Sequence, residues 1–159
     1  MILVALSKLV SVDATSCSKR SGIFLNLFVI GPKMQMQWTS WATIAALAVY
    51  VWTAVNVSRA RSRYGVKAPA VDGPPEFLRA MRVQLNTVEQ IILFLPSLWL
   101  CALWFSDHAA AIGGAVWVVG RIWYALAYYR DASRRAKGFV LTITASLSLL
   151  LLAVIGLLR

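Results

Sequence analysis

Negative charge is scarce in this chain: six acidic residues stand against sixteen lysines and arginines over 159 positions. Histidine is scarcer still, with His108 alone, which excludes a metal site built on several imidazoles. The two cysteines, Cys17 and Cys101, form no CxxC. Cys101 lies in an apolar run and reads as an inert packing residue. No Cys–His or Ser–His arrangement suggests a protein nucleophile, and no metal is expected. Charged residues of both signs make up only 14% of the chain, while 60% is hydrophobic. A soluble domain of this size cannot bury that much apolar surface, whereas lipid solvates it around a helical membrane protein. A net charge of +10 would raise nucleic acid as a partner for a soluble protein. Here the basic residues gather at the ends of apolar runs, the pattern of membrane topology and anionic head groups, so no nucleic-acid partner is expected.

What is present is four long apolar runs, about residues 38–57, 76–105, 109–129 and 139–158. Each is long enough to cross a hydrocarbon core of roughly 30 Å, so the spacing predicts an all-α membrane bundle of four helices. The second run exceeds what a crossing needs, at about 45 Å, and places its first turns in the head-group zone. Pro74 and Pro75 suit its start, and Pro96 inside it predicts a bend. Residues 1–35 do not fit the pattern. Ile23–Ile30 is too short to span, Lys8 interrupts the apolar stretch of the first twelve residues, and Met34 and Met36 offer alternative starts next to the first crossing. The expected division is therefore an extension over 1–35 and a four-helix domain over 36–159.

The connections separate by charge. The first holds Arg59, Arg61, Arg63 and Lys67, and the third holds Arg130, Arg134, Arg135 and Lys137. The second, Ser106-Asp107-His108, has no lysine or arginine, and His108 in it reads as a solvated loop residue. The positive-inside rule then puts the two basic connections in the cytoplasm and both termini on the opposite side. Arg59, Lys67, Arg134 and Lys137 are most simply topology determinants.

Polar residues at membrane depth are costly and mark sites or helix–helix contacts. Arg82, Asn86 and Glu89 follow at intervals of four and three, sharing one face of the second helix. Arg79 extends this stripe, and Gln84 and Gln90 flank it. Arg121, Tyr124 and Tyr128 form a second stripe on the third helix, and Arg135 joins them if that helix continues past the membrane edge. Glu89 and Arg121 lie at comparable depth, which predicts an ion pair, since a lone buried charge is hard to tolerate. Packing glue explains part of this set. Several arginines converging with two phenols suit an anionic, peptide-like ligand better, with guanidinium forks for carboxylates and Glu89 for an ammonium group.

The run Gly73-Pro74-Pro75-Glu76-Phe77, then Arg82 to Gln90, then Phe94-Leu95-Pro96-Ser97-Leu98-Trp99, closely resembles the MAPEG family, the membrane-associated proteins of eicosanoid and glutathione metabolism. Arg121-Ile122-Trp123-Tyr124 to Tyr128 resembles that family's third helix. The likeness covers about Trp38 to the end. It implies a four-helix protomer in a homotrimer, glutathione as co-substrate at each subunit interface, and a hydrophobic co-substrate entering from the bilayer. Carried over position by position, Arg82, Gln84, Asn86 and Glu89 match glutathione-binding residues, Tyr124 and Tyr128 match third-helix contacts, and Arg61 is a weaker match to a first-loop arginine. Arg135 matches the arginine that activates the glutathione thiol. Gln90 departs from the tyrosine of eukaryotic members; it can hydrogen-bond a ligand but offers no phenol.

The activity implied is a membrane glutathione transferase or peroxidase. A non-catalytic lipid-binding or scaffolding protein of the same fold is the principal alternative. A small transporter using Glu89 as its coupling carboxylate, or a purely structural subunit, are further ones.

Overall fold

The computed structural model describes residues 36–159, and the expectations for residues 1–35 lie outside them. The described chain folds as α1 (Gln37–Tyr64), α2 (Pro75–Trp104), α3 (Asp107–Arg130), a short 3-10 turn (Ala132–Arg135) and α4 (Ala136–Leu157). All four helices are long and apolar enough to cross a membrane, and no strand occurs among the described residues. The protein is an all-α membrane bundle.

Two helix ends differ from the reading by hydropathy. Helix α1 runs seven residues beyond Val57, so Arg59, Arg61 and Arg63 ride on a helix rather than a loop. Intrahelical hydrogen bonding does not depend on lipid, and the end is set instead by Gly65, whose φ of 67° is the left-handed cap that glycine adopts without strain. Conversely, α3 does not continue to Arg135. Extended backbone at Asp131 ends it, and the Asp131 side chain accepts from Ser133 N at 2.9 Å to start the 3-10 turn. That hydrogen bond holds the exposed Asp131 carboxyl below the usual carboxylate range. Pro96 lies on the exposed side of α2 without ending it.

Small residues let the helices approach. A Cβ on Gly114 would sit 2.7 Å from the Cβ of Ala42, so α1 and α3 touch there nearly backbone to backbone. A Cβ on Gly138 would lie 2.7 Å from the Tyr124 Cα, which draws the first turn of α4 against α3. The mid-bundle core is built from Ala46, Phe94, Leu98, Trp117 and Leu149, all buried, with the Phe94 and Trp117 rings stacked at 4.2 Å and 10°. A second buried cluster nearer the basic end joins Val83, Tyr124, Ala125 and Tyr128.

The opposite end is closed by Asp107. Its two carboxylate oxygens accept from Trp38 N at 3.2 Å and Thr39 N at 2.9 Å, so the first turn of α3 caps the N-terminus of α1. Asp107, in the short connection between the second and third crossings, is thus a structural cap between helices. His108 stays exposed, with its ring 6.0 Å from that of Trp38.

Candidate functional site

The helical interval places Arg82, Asn86 and Glu89 along one side of α2, facing Tyr124 and Tyr128 of α3. The close approach at Gly138 brings Arg135 and the start of α4 across from them. Between these elements lies a cavity of about 670 Å³, within the range of small-molecule sites. Leu85, Phe139 and Val140 lie along its wall and are all exposed, so the cavity opens at the surface of the bundle.

Arg121 is fully buried beside it. Its Nη2 donates to Asn86 Oδ1 at 2.8 Å, and its Nε donates to Thr87 Oγ1 at 3.3 Å. Asn86 in turn donates through Nδ2 to Glu89 Oε2 at 3.2 Å. The direct Glu89–Arg121 ion pair expected from depth is therefore not formed. Arg121 sits level with Asn86 and Thr87, one turn short of Glu89, and the Asn86 amide relays between the two charges. Thr87 is the member that the stripe spacing misses. It lies one residue off the stripe and is buried, donating to Val83 O at 2.7 Å while accepting from Arg121.

Aromatic faces carry the remaining cationic contacts. The Arg121 guanidinium lies 4.2 Å from the Tyr124 ring centre, and that of Arg135 lies 5.6 Å from the Tyr128 ring centre. Arg135 thus reaches the second stripe through the 3-10 turn rather than along a continued helix. The Tyr124 and Tyr128 rings are 5.6 Å apart. Arg82 and Arg135 bring two positive charges to the cavity wall and Glu89 one negative, with the Arg121 guanidinium buried beside it. Arg121 Nη1 is buried without a hydrogen-bond partner among the described residues.

Three expected ligands do not line this cavity in one copy of the chain. Gln84 lies about 200° around α2 from Arg82 and so faces away. Gln90 is buried toward the bundle interior, its Oε1 without a hydrogen-bond partner among the described residues. Arg61 is committed elsewhere: it donates to Ala70 O at 2.8 Å, approaches Met81 Sδ at 3.9 Å and lies 5.1 Å from the Phe77 ring centre. It straps the α1–α2 connection onto α2. Arg79 also leaves the stripe, pairing with Glu76 at 2.9 Å.

The sequence model of the MAPEG family matches residues 39–155, which reaches from the first turn of α1 to the last turn of α4 and takes in every residue of the cavity. The chain belongs to the MAPEG family. Among proteins similar to it, an uncharacterised protein of Synechocystis is 44% identical over 79% of this chain and 92% of its own length. The leukotriene C4 synthase of Cavia porcellus is 38% identical over 74% of this chain and 79% of its own. The human microsomal glutathione S-transferase 2 is 38% identical over 65% and 70%, respectively.

Proposed function

We propose that this MAPEG protein binds glutathione in the cavity between α2, α3 and α4 and uses its sulfur on hydrophobic compounds dissolved in the bilayer. The observation that carries the reading is the convergence of Arg82, Asn86, Glu89, Tyr124, Tyr128 and Arg135 on one cavity with excess positive charge. Guanidinium groups suit the two carboxylates of the tripeptide, and Glu89 suits its ammonium group. Relatives named as a glutathione S-transferase and a leukotriene C4 synthase support the same class.

Arg135 is assigned to the thiol. A cysteine-type thiol ionises near pH 8.5 and is mostly protonated at neutral pH, and a neighbouring guanidinium favours the thiolate. A fall of about two pKa units stabilises the thiolate by roughly 2.7 kcal/mol and leaves it largely ionised. In conjugation the sulfur lone pair forms the new C–S bond, a leaving group departs or an epoxide opens, and the thiol proton ends on that oxygen or in solvent. In peroxide reduction two glutathiones give up two electrons to form the disulfide, and the hydroperoxide becomes alcohol and water. The other arginines fix the tripeptide so that the sulfur meets the exposed Phe139–Val140 side of the cavity, which lowers the entropic barrier.

The same reading takes the active unit as a homotrimer with a site at each subunit interface. Gln84 and Arg61 lie off the cavity of their own copy, and in a homotrimer they are offered to the site of a neighbour. The basic end, and with it the cavity, is assigned to the cytoplasm by the positive-inside rule, with the C-terminus opposite.

The test is glutathione conjugation to an electrophilic aromatic halide, and reduction of a lipid hydroperoxide, by the purified protein in detergent. Turnover in either assay supports the enzyme. Glutathione binding with no turnover in both assigns the protein to the non-catalytic lipid-binding members instead.

A further inference from the structure

A second polar cavity, of about 350 Å³, lies between the last turns of α1, the first turns of α2 and the end of α3. It shares no residue with the glutathione cavity. Trp52, Asn56, Arg59 and Arg63 follow on α1 at intervals of four, three and four and line it from one helix face. Its inner wall is aromatic and half-buried. Asn56 Nδ2 donates to the Tyr129 hydroxyl at 3.2 Å, and the Trp52 and Tyr129 rings meet edge-on at 6.1 Å.

Arg59 and Arg63 stand exposed at the rim, and neither forms an ion pair among the described residues. Opposite them is Glu76, whose Oε1 accepts from Arg79 at 2.9 Å and whose second oxygen accepts from no described residue. The cavity therefore offers two guanidinium groups free of ion pairs, that of Arg63 5.8 Å from the Tyr64 ring centre, and one half-committed carboxylate, over a tryptophan–tyrosine wall, at the basic ends of membrane helices. Tryptophan and tyrosine settle at head-group level, arginine forks match phosphate, and juxtamembrane cations attract lipid phosphates. A purely anionic head group satisfies the arginines but meets Glu76 with like charge. A quaternary ammonium has no proton to give that carboxylate. A primary ammonium beside a phosphate satisfies both.

We propose that this cavity binds the head group of an aminophospholipid, Arg59 and Arg63 holding the phosphate and Glu76 the primary ammonium. The role is independent of glutathione and goes beyond the topological one that charge distribution gives Arg59. The test is native mass spectrometry of the full chain in detergent, titrated with phosphatidylethanolamine, phosphatidylglycerol, phosphatidylcholine and inorganic phosphate. Phosphatidylethanolamine is expected to be retained most strongly. The Arg59→Gln/Arg63→Gln double variant is expected to lose about tenfold of that retention, as for removal of charge-assisted hydrogen bonds. Glu76→Gln is expected to erase the preference over phosphatidylglycerol while leaving phosphate-dependent retention. A thermal unfolding curve on each variant establishes that it folds. Should the double variant not fold, Arg59→Lys/Arg63→Lys keeps the charge, removes the fork and is expected to lose about threefold. Equal retention by wild type and a folded arginine variant overturns the proposal. So does phosphatidylcholine held as tightly as phosphatidylethanolamine, or displacement by inorganic phosphate, which identifies a site for soluble anions.

Discussion

Arg121 donates to Asn86 across the α2–α3 interface at 2.8 Å, and the same amide passes its own hydrogen to Glu89. A buried guanidinium is thus held by neutral side chains, and the Glu89 carboxylate at the cavity forms no ion pair among the described residues. Replacing Asn86 by alanine removes one of the two hydrogen bonds of a buried guanidinium and frees Glu89 at once. The expected outcome is a stability loss of about 1–3 kcal/mol, read by thermal unfolding, with at least about tenfold weaker glutathione binding by calorimetry. Unchanged values for both would show that the amide carries no load.

Arg135 lies at the cavity rim, outside the buried network, so its truncation should spare the fold. Arg135→Ala is expected to lower kcat far more than it weakens glutathione binding. The sign of the pH effect follows from charge: the guanidinium favours the thiolate, so removing it raises the thiol pKa. The rising limb of activity against pH should move up by about two units, toward the free-thiol value near 8.5. A profile that stays in place, or a loss confined to KM, rules out thiol activation by this residue.

Gly138 sets the distance between α4 and α3. Gly138→Ala places a Cβ 2.7 Å from the Tyr124 Cα, with backbone rather than a flexible side chain in the way. Overpacking of this kind costs about 1–3 kcal/mol. The two helices must part, displacing Tyr124 from the cavity, so the melting temperature and glutathione affinity should fall together. A variant that melts like wild type contradicts the close packing.

Asp107 offers the converse case, a structural residue at the end of the bundle opposite the site. Asp107→Ala removes acceptors from two backbone N–H groups of α1 and should cost about 1 kcal/mol, while Asp107→Asn, which keeps one acceptor, should cost less. Glutathione affinity should be unaltered in both. A fall in affinity at constant stability would mean that the cap acts on the site as well.

The four crossings and the two polar stripes are legible in the sequence because ionisable residues at membrane depth are few, and their intervals fix a helix face. Partnership across helices is less legible. Counting from helix ends gives Arg121 and Glu89 similar heights, but a one-turn offset hands Arg121 to Asn86 and Thr87 instead. The cap at Asp107 joins residues 68 positions apart, and no local spacing announces it. The end of α1 escapes hydropathy because the helix outlasts its apolar run and stops at a glycine. The committed position of Arg61 is likewise invisible, since its partners Ala70, Met81 and Phe77 come together only once the α1–α2 connection has folded back.

One consequence of the stacked Phe94 and Trp117 rings concerns permeation. They lie one turn farther from the basic end than Gln90 and Arg121, and both are wholly enclosed. Water that follows the arginines inward meets an aromatic plug there, with close-packed side chains beyond it. The bundle carries a polar cavity toward one end and a packed aromatic pair at its waist, so vesicles carrying the protein should hold a proton gradient as long as bare ones do.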